Sequence, residues 1–337
     1  MLQELSECIG VSGAESKVRN LVRTIIEPDV DDIVEDAYGN LIARRGKHTA
    51  AKILLAAHMD EVGFMITGIT KEGFLKFRTI GIVPHVLLAK KVIVGIDEIP
   101  GVIGHKPIHQ MTDDERKKMP AIDTLFIDIG AHSKDDAQKM VQVGTHGTFD
   151  TAFSQEGDRI YGKAFDDRIG CYILIQIIKT IQCPCMFAFT TQEEVGLRGA
   201  RIAAYTAAPK VALAIDTTAS GEWPAEEDIP KYPEIGKGPV LTIADRSIIA
   251  DREVVSVLEQ TAQDNNISYQ YKKPGIGGTD AGAIHVSREG VRAAVVQTAA
   301  RYIHSPLSIA SMQDINDNIS LVRATVERIH AEGARWN

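Results

Sequence analysis

The sequence predicts an α/β protein whose main domain is interrupted by a small β-rich module. Two observations carry that expectation. Apolar runs of strand length (KILLAA at 52–57, MFAFTT at 186–191, VALAI at 211–215) alternate with helical stretches, the pattern of a sheet buried between helices. Between about residues 67 and 157 the alternation gives way to short strands punctuated by glycine and proline. Residues 1–66 and 158–337 are thus expected to form one discontinuous domain, with 67–157 as the insertion, and 337 residues are enough for such a division.

The elements follow in order. Residues 15–26 carry Val18, Leu21, Val22, Ile25 and Ile26 at helical spacing. DAYGNLIAR at 36–44 reads as a hairpin turning at Gly39-Asn40, and 52–57 as a strand buried on both faces. In the insertion, 73–77 and 90–95 are short strands between turn residues such as Gly81, Pro84, Pro100 and Gly104, and 112–119 is a polar helix. Afterwards a helix at 167–181, a strand at 186–191, a helix at 199–205, a strand at 211–215, a helix at 251–265, a strand at 291–297 and a final amphipathic helix at 315–332 complete the pattern.

Composition removes several functions. A net charge of -8 argues against a nucleic-acid binder, which needs a basic face. The opening MLQELSECIGVSG has neither a basic start nor a long apolar core, so no signal peptide is expected. The most apolar helix, 169–181, contains Gln176 and Lys179 and is too short to span a bilayer. Cys183 and Cys185 lack two further ligands at compatible spacing, and with Cys8 and Cys171 they read as reduced buried thiols, which suits the cytoplasm.

The chemistry gathers where strands end. KILLAA runs into His58-Met59-Asp60, MFAFTTQ into Glu193-Glu194 and VALAI into Asp216; Asp166 and Asp167 open a helix, and His304 follows the last strand. Ligands of open α/β sheets bind beyond the carboxyl ends of strands. Each residue alone reads as a cap, a loop charge or an interior histidine; together they form a metal site more naturally than a set of unrelated charges. Asp60, two residues from His58 on an extended segment, can reach its ring and fix the tautomer. Glu193 and Glu194 are adjacent and point apart, so one can bind metal while the other faces the attacking water. Imidazole and carboxylate donors without thiolate suit zinc, cobalt or manganese and argue against a closed structural zinc site.

The ordered set AHMDEVGF, KAFDDRIG, TTQEEVGLRGA, AIDT, GGTDAGAIH and RYIHSP resembles the M42 family of metallo-aminopeptidases along essentially the whole chain. The resemblance implies a mixed-sheet α/β/α catalytic domain interrupted by a barrel-like dimerisation domain, and dimers that build a homododecamer. It implies two divalent ions, Zn²⁺ or Co²⁺ before Mn²⁺, and peptide substrates cleaved at their amino terminus by a metal-bridging water. His58 and Asp216 would hold one ion, Glu194 and His304 the other, and Asp166 would bridge them. Asp60 would support His58, and Glu193 would be the general base. Gly278, Thr279 and Asp280, in GIGGTDAGAIH, are expected near the substrate, the glycines allowing close backbone approach.

A glycosidase using Glu193 and Glu194 fits poorly, because adjacent residues do not face each other across a sugar at about 5–9.5 Å. A deacylase of N-acyl amino acids could use the same two-metal centre, and a non-catalytic scaffold would leave Glu193 idle. His285 reads as structural, and the insertion histidines His85, His105, His109, His132 and His146 show no paired spacing. The residue preference of the substrate pocket is not legible; Arg246 and Arg252 are the arginines considered for an acidic side chain.

Overall fold

A computed structural model describes residues 1–46, 52–224 and 233–336. Its main sheet has eight strands in the spatial order Asp32–Glu35, Leu41–Arg45, Cys185–Thr190, Ile53–His58, Val211–Ala219, Arg292–Ala300, Val240–Thr242 and Gln270–Tyr271. The four central strands are mutually parallel, and the flanking pairings include antiparallel ones, so the sheet is mixed. The alternation of side chains along each strand explains why the apolar runs are continuous. On the Ile53–His58 strand, Ile53, Leu55 and Ala57 face one core, while Leu54 and Ala56 face another. The larger core is closed by the helices Ser16–Ile26, Phe165–Thr180, Arg252–Asp264 and Met312–Ala331, and the smaller by Arg198–Ala207 and Ala281–Ile284.

The insertion is a closed six-stranded barrel, in the order Gly63–Ile69, Leu75–Ile80, Phe126–Asp128, Ile99–Gly104, Lys91–Val94 and His146–Phe149. Closure removes the unpaired edges that so many short strands would otherwise expose. Phe64, Phe77, Val92, Ile103, Ile127 and Phe149 fill it, with the Phe64 and Phe77 rings meeting edge-on at 5.5 Å. The polar stretch at 112–119 gives the helix Asp113–Lys117, started by a capping box between Thr112 and Glu115. The α/β class and the β-rich insertion are as the sequence predicts.

Three details differ from the sequence reading. The hairpin begins earlier, pairing Asp32–Glu35 with Leu41–Arg45, and its link is a five-residue loop from Asp36 to Asn40. The tight turn is centred on Ala37-Tyr38, where the Gly39 amide donates to the Asp36 carbonyl at 3.0 Å, instead of the expected Gly39-Asn40, and the Asp36 side chain braces it by accepting from the backbone amides of Tyr38 and Asn40. The first barrel strand starts at Gly63, inside the segment read as main domain. Ser154–Glu156 lies outside the barrel and joins Arg159–Gly162 and Ser308–Ser311 in a separate three-stranded sheet.

A buried ionic cluster sits where barrel and sheet meet. Lys163 Nζ lies 2.8 Å from both Glu61 carboxylate oxygens, and the Thr148 hydroxyl donates to Glu61 at 2.9 Å. Arg168, fully buried, donates to the backbone oxygens of Met59 and Cys8 at 2.8 Å each. No helix among the described residues is long and apolar enough to cross a membrane.

Candidate metal centre

The parallel register sets the site. Thr190 pairs with His58 across adjacent strands, so the chain beyond Thr190 delivers Glu193 and Glu194 beside the end of the His58 strand. Asp216 lies on the next strand, and His304 follows the strand after that. His58, Asp166, Glu193, Glu194, Asp216 and His304 all line one cleft of about 390 Å³ at the carboxyl edge of the sheet.

Asp166 lies between the histidines: Oδ1 is 3.1 Å from His58 Nε2 and Oδ2 is 3.3 Å from His304 Nε2. His304 Nε2 is also 3.4 Å from Glu194 Oε2, and His58 Nε2 is 3.9 Å from Glu193 Oε2. Asp166 starts the helix that packs under the site, and its peptide bond to Asp167 is cis. His304 sits at φ +56°, a left-handed backbone uncommon outside glycine, in a loop pinned where the Ser305 hydroxyl donates to Tyr302 and Leu307 carbonyls.

Asp60 does more than its spacing from His58 implies. Fully buried, it accepts the Glu193 backbone amide at 2.9 Å, the Glu194 amide at 3.1 Å and the Ser12 hydroxyl at 2.7 Å. His58 Nδ1 faces the Asp60 backbone oxygen at 3.0 Å and its Oδ1 at 3.5 Å. One aspartate therefore orients the histidine and both glutamates.

The charges are mutually perturbing. Burial, and then the neighbouring Asp166, push the Glu194 carboxyl up to about 8; the same two causes push Asp216 up to about 7. Burial, with Asp216, Asp280 and Glu194 close by, also raises Glu193 well above the carboxylate range. Burial opposes ionisation of Asp166 too, but hydrogen bonds from His304 and His58 hold it below that range, and its carboxylate helps raise His304 to about 9. Crowded carboxylates of this kind need cations to ionise together. Glu194 Oε1 is buried without a hydrogen-bond partner, an acceptor aimed at something the chain does not supply. Two imidazoles and four carboxylates with such an orphaned oxygen fit divalent ions of the zinc, cobalt and manganese kind. Donor atoms lie within 4.8 Å of one another in two overlapping sets, His58–Asp166–Glu194 and His58–Asp167–Asp216.

Three residues near the cleft were given no role in the site by sequence. Asp167, read as half of a capping pair, is buried and accepts the amides of His58 and Gly170. Ser12 holds Asp60 from a segment with no motif of its own. Lys272 lines the cleft from beyond the edge strand Gln270–Tyr271, a position that only the sheet order brings near. Of the expected substrate residues, Gly278 lines the cleft, whereas Thr279 and Asp280 are buried behind it, Asp280 accepting a short hydrogen bond from Thr190. Arg246 and Arg252 are exposed and do not line the cleft. The His285 Nδ1–H donates to the Ala281 carbonyl of the short helix before it, and the ring stays out of the cleft.

The fold and cleft define a class: α/β chains with an inserted barrel that gather imidazoles and carboxylates at the carboxyl edge of a mixed sheet. Residues 39–321 match the model of the family described as M42 glutamyl aminopeptidase, and the chain belongs to that family. It is 32% identical to the lysyl aminopeptidase of Pyrococcus furiosus over 341 residues, covering 98% of this chain and 96% of that one. A TET aminopeptidase from the marine sediment archaeon Thaumarchaeota archaeon SCGC AB-539-E09 shares the fold with a TM-score of 0.94 at 35% identity, over 98% and 97% of the two chains. The TET1 peptidase of Pyrococcus horikoshii, which can assemble into a tetrahedron or a large octahedral shell, matches with a TM-score of 0.86 at 34% identity, over 96% and 97%.

Proposed function

We propose that this M42 aminopeptidase is a two-metal enzyme that hydrolyses the amino-terminal residue from peptides. The observation that supports this most is the meeting of five metal-type donors and Glu193 in one cleft. His58 and Asp216 would hold one ion and Glu194 and His304 the other, with Asp166, which offers one oxygen to each histidine, between them. Zinc or cobalt suits these donors best, and manganese is accepted by them. Bound there, two divalent ions polarise a scissile carbonyl and ease loss of a proton from water.

The chain's own part is proton handling and positioning. Glu193 takes a proton at its carboxylate and passes it to the leaving amine nitrogen. Its burial favours a base that holds a proton briefly and returns it. Asp60 fixes the direction of Glu193 through the backbone amide and of His58 through the ring. Gly278 gives substrate backbone close access to the wall, and Thr279 and Asp280 support that wall from behind. The barrel would serve as the dimerisation module, with dimers forming a shell-like homo-oligomer by likeness to the Pyrococcus horikoshii peptidase, and a dodecamer by likeness to the PhTET1-12s structure, a dodecamer that matches with a TM-score of 0.85 at 34% identity. The working compartment would be the cytoplasm, with peptides as partners and neither nucleic acid nor membrane.

The test is an assay on metal-stripped protein before and after addition of zinc, cobalt or manganese. Substrates are free aminoacyl p-nitroanilides, their N-acetylated versions and a cellulosic polymer. Metal-dependent cleavage of the free amides alone is expected. Cleavage of only the acetylated amides would make the chain a deacylase, cleavage of the polymer a glycosidase, and silence with two ions bound a scaffold.

A further inference from the structure

A peptide cut at the candidate metal centre needs room on both sides of the scissile bond, and the cleft accounts for one side. The other side opens past His304: Ile303 and His304 line both the cleft and a second, wider groove of about 730 Å³. One wall of that groove is the barrel turn at 81–90, and the other is the loop at 302–307. Gly81 stands where the groove meets the donor carboxylates. A Cβ there would lie 2.5 Å from Val62 Cγ1 and 3.3 Å from Glu194 Oε2, and its φ is +70°. Glycine at 81 thus keeps the groove open toward Glu194.

Both walls are tied down. In the barrel turn the Ala89 amide donates to the Ile103 carbonyl and the Ile103 amide to the Lys90 carbonyl, at 3.0 Å each, while Leu87 is buried in the barrel core. In the facing loop the Thr151 hydroxyl donates to the Pro306 carbonyl at 2.7 Å and the Ser308 hydroxyl to the Tyr302 carbonyl at 3.2 Å. Held this way, the walls leave apolar side chains uncovered: Val83, Leu88, Tyr302 and Leu307 are 56%, 39%, 62% and 43% exposed. Single exposed apolar residues are common, but four on facing walls of one groove mark a binding surface. Among the described residues no carboxylate lines the groove, whereas Lys90 does. Lys91 beside it is paired with Asp150, and Lys90 has no such partner.

We propose that this groove holds the leaving part of the peptide, seating an apolar side chain of the second residue against Val83, Leu88 and Leu307. This rests on the aminopeptidase reading and adds a selection on the residue after the bond that is cut. The barrel then forms half of the substrate site, besides any part it has in assembly. Because both walls are already fixed, an apolar side chain gains contact there without ordering new backbone. A basic second residue meets Lys90 and is disfavoured.

The test uses tripeptides that share the amino-terminal residue ranked best by the p-nitroanilide panel and carry leucine, glycine or lysine second and glycine third. With metal-loaded wild type, kcat/KM should favour leucine over glycine by about 10-fold, the gain from partly burying a leucine side chain. Lysine should be poorer than leucine. Leu88→Asp should bring the leucine-to-glycine ratio close to one. Ile108→Asp, on an exposed barrel residue outside the groove, should leave that ratio unchanged. Each ratio is taken within one preparation, so the fraction of active protein cancels. Kd values of N-acetyl-leucinamide and N-acetylglycinamide from ligand-observed NMR should show the same Leu88-dependent preference. A wild type that cleaves the tripeptides but treats leucine no better than glycine or lysine would overturn the groove assignment and leave the aminopeptidase reading intact. So would a Leu88→Asp variant that keeps the wild-type ratio while its native mass by light scattering falls, because the groove would then be a contact between copies of the chain. A wild type that cleaves no peptide would sink the aminopeptidase reading, and the Kd ratio would then decide the groove alone. Should Leu88→Asp fail to fold, Val83→Asp replaces it, and a wild-type ratio of one still overturns the proposal.

Discussion

At the scale of single residues, the proposed mechanism gives Asp60 the work of positioning and Glu193 that of proton transfer. Glu193→Gln keeps the shape and removes the base, so kcat should fall by about 10²–10⁴ or more. Metal content, measured by elemental analysis, should stay at wild-type level; an active variant would remove Glu193 from its role. Asp60→Asn weakens an acceptor that serves two backbone amides and a ring, and apparent metal affinity in a chelator competition should drop about 10- to 100-fold, the usual cost of losing a group behind a ligand. The raised carboxyls give a pH prediction for metal-stripped protein. Glu194, at about 8, and Asp216, at about 7, hold protons in the folded state that the unfolded chain has already released. Stability is therefore lost as pH rises from about 4 through these values, and the Tm of stripped protein should fall between pH 5 and 8. Metal should restore it most at the alkaline end, and a stripped protein that gains stability over this interval would contradict the charge crowding.

At the scale of elements, the most legible parts were those whose burial follows a simple period. The central strands Cys185–Thr190, Ile53–His58 and Val211–Ala219 are apolar on both faces because helices cover both sides, and so they stood out as runs. The short strand Val240–Thr242 and the edge strand Gln270–Tyr271 beside it are too short to show a period, and with them the nearness of Lys272 to the cleft was hidden. His58, Asp166, Glu193, Glu194, Asp216 and His304 were visible because each sits next to a recognisable strand or helix end, whereas Ser12 belongs to a segment without periodicity. The ionic cluster of Glu61, Lys163 and Arg168 was likewise illegible, since its members become neighbours only when the chain returns from the barrel. Lys163→Met removes one partner from a fully buried pair and should cost about 3–5 kcal/mol in chemical denaturation. Adding Glu61→Gln should cost less than the sum of the two single changes, because the partner left uncompensated is then neutral. Additive costs would mean that the contact contributes little.

At the scale of the molecule, a mixed sheet with two unequal helical layers supports a cleft assembled from five separated stretches of chain, at 58–60, 166–167, 193–194, 216 and 304. Such a cleft exists only when the whole sheet is in register, so loss of activity on heating should coincide with loss of far-ultraviolet circular dichroism. Light scattering should give a native mass several times 36.7 kDa, and a monomer of full activity would detach assembly from catalysis. The barrel's first strand, Gly63–Ile69, is hydrogen-bonded to its last, His146–Phe149, through the pairs Phe64–Gly147 and Met65–His146, so the chain enters and leaves the barrel side by side. A module with adjoining ends behaves as a cassette. Evolution can enlarge, reshape or exchange it between Glu61 and Lys163 while the ligand-bearing segments keep their spacing in space, which allows the outer architecture of the family to diverge faster than its chemistry.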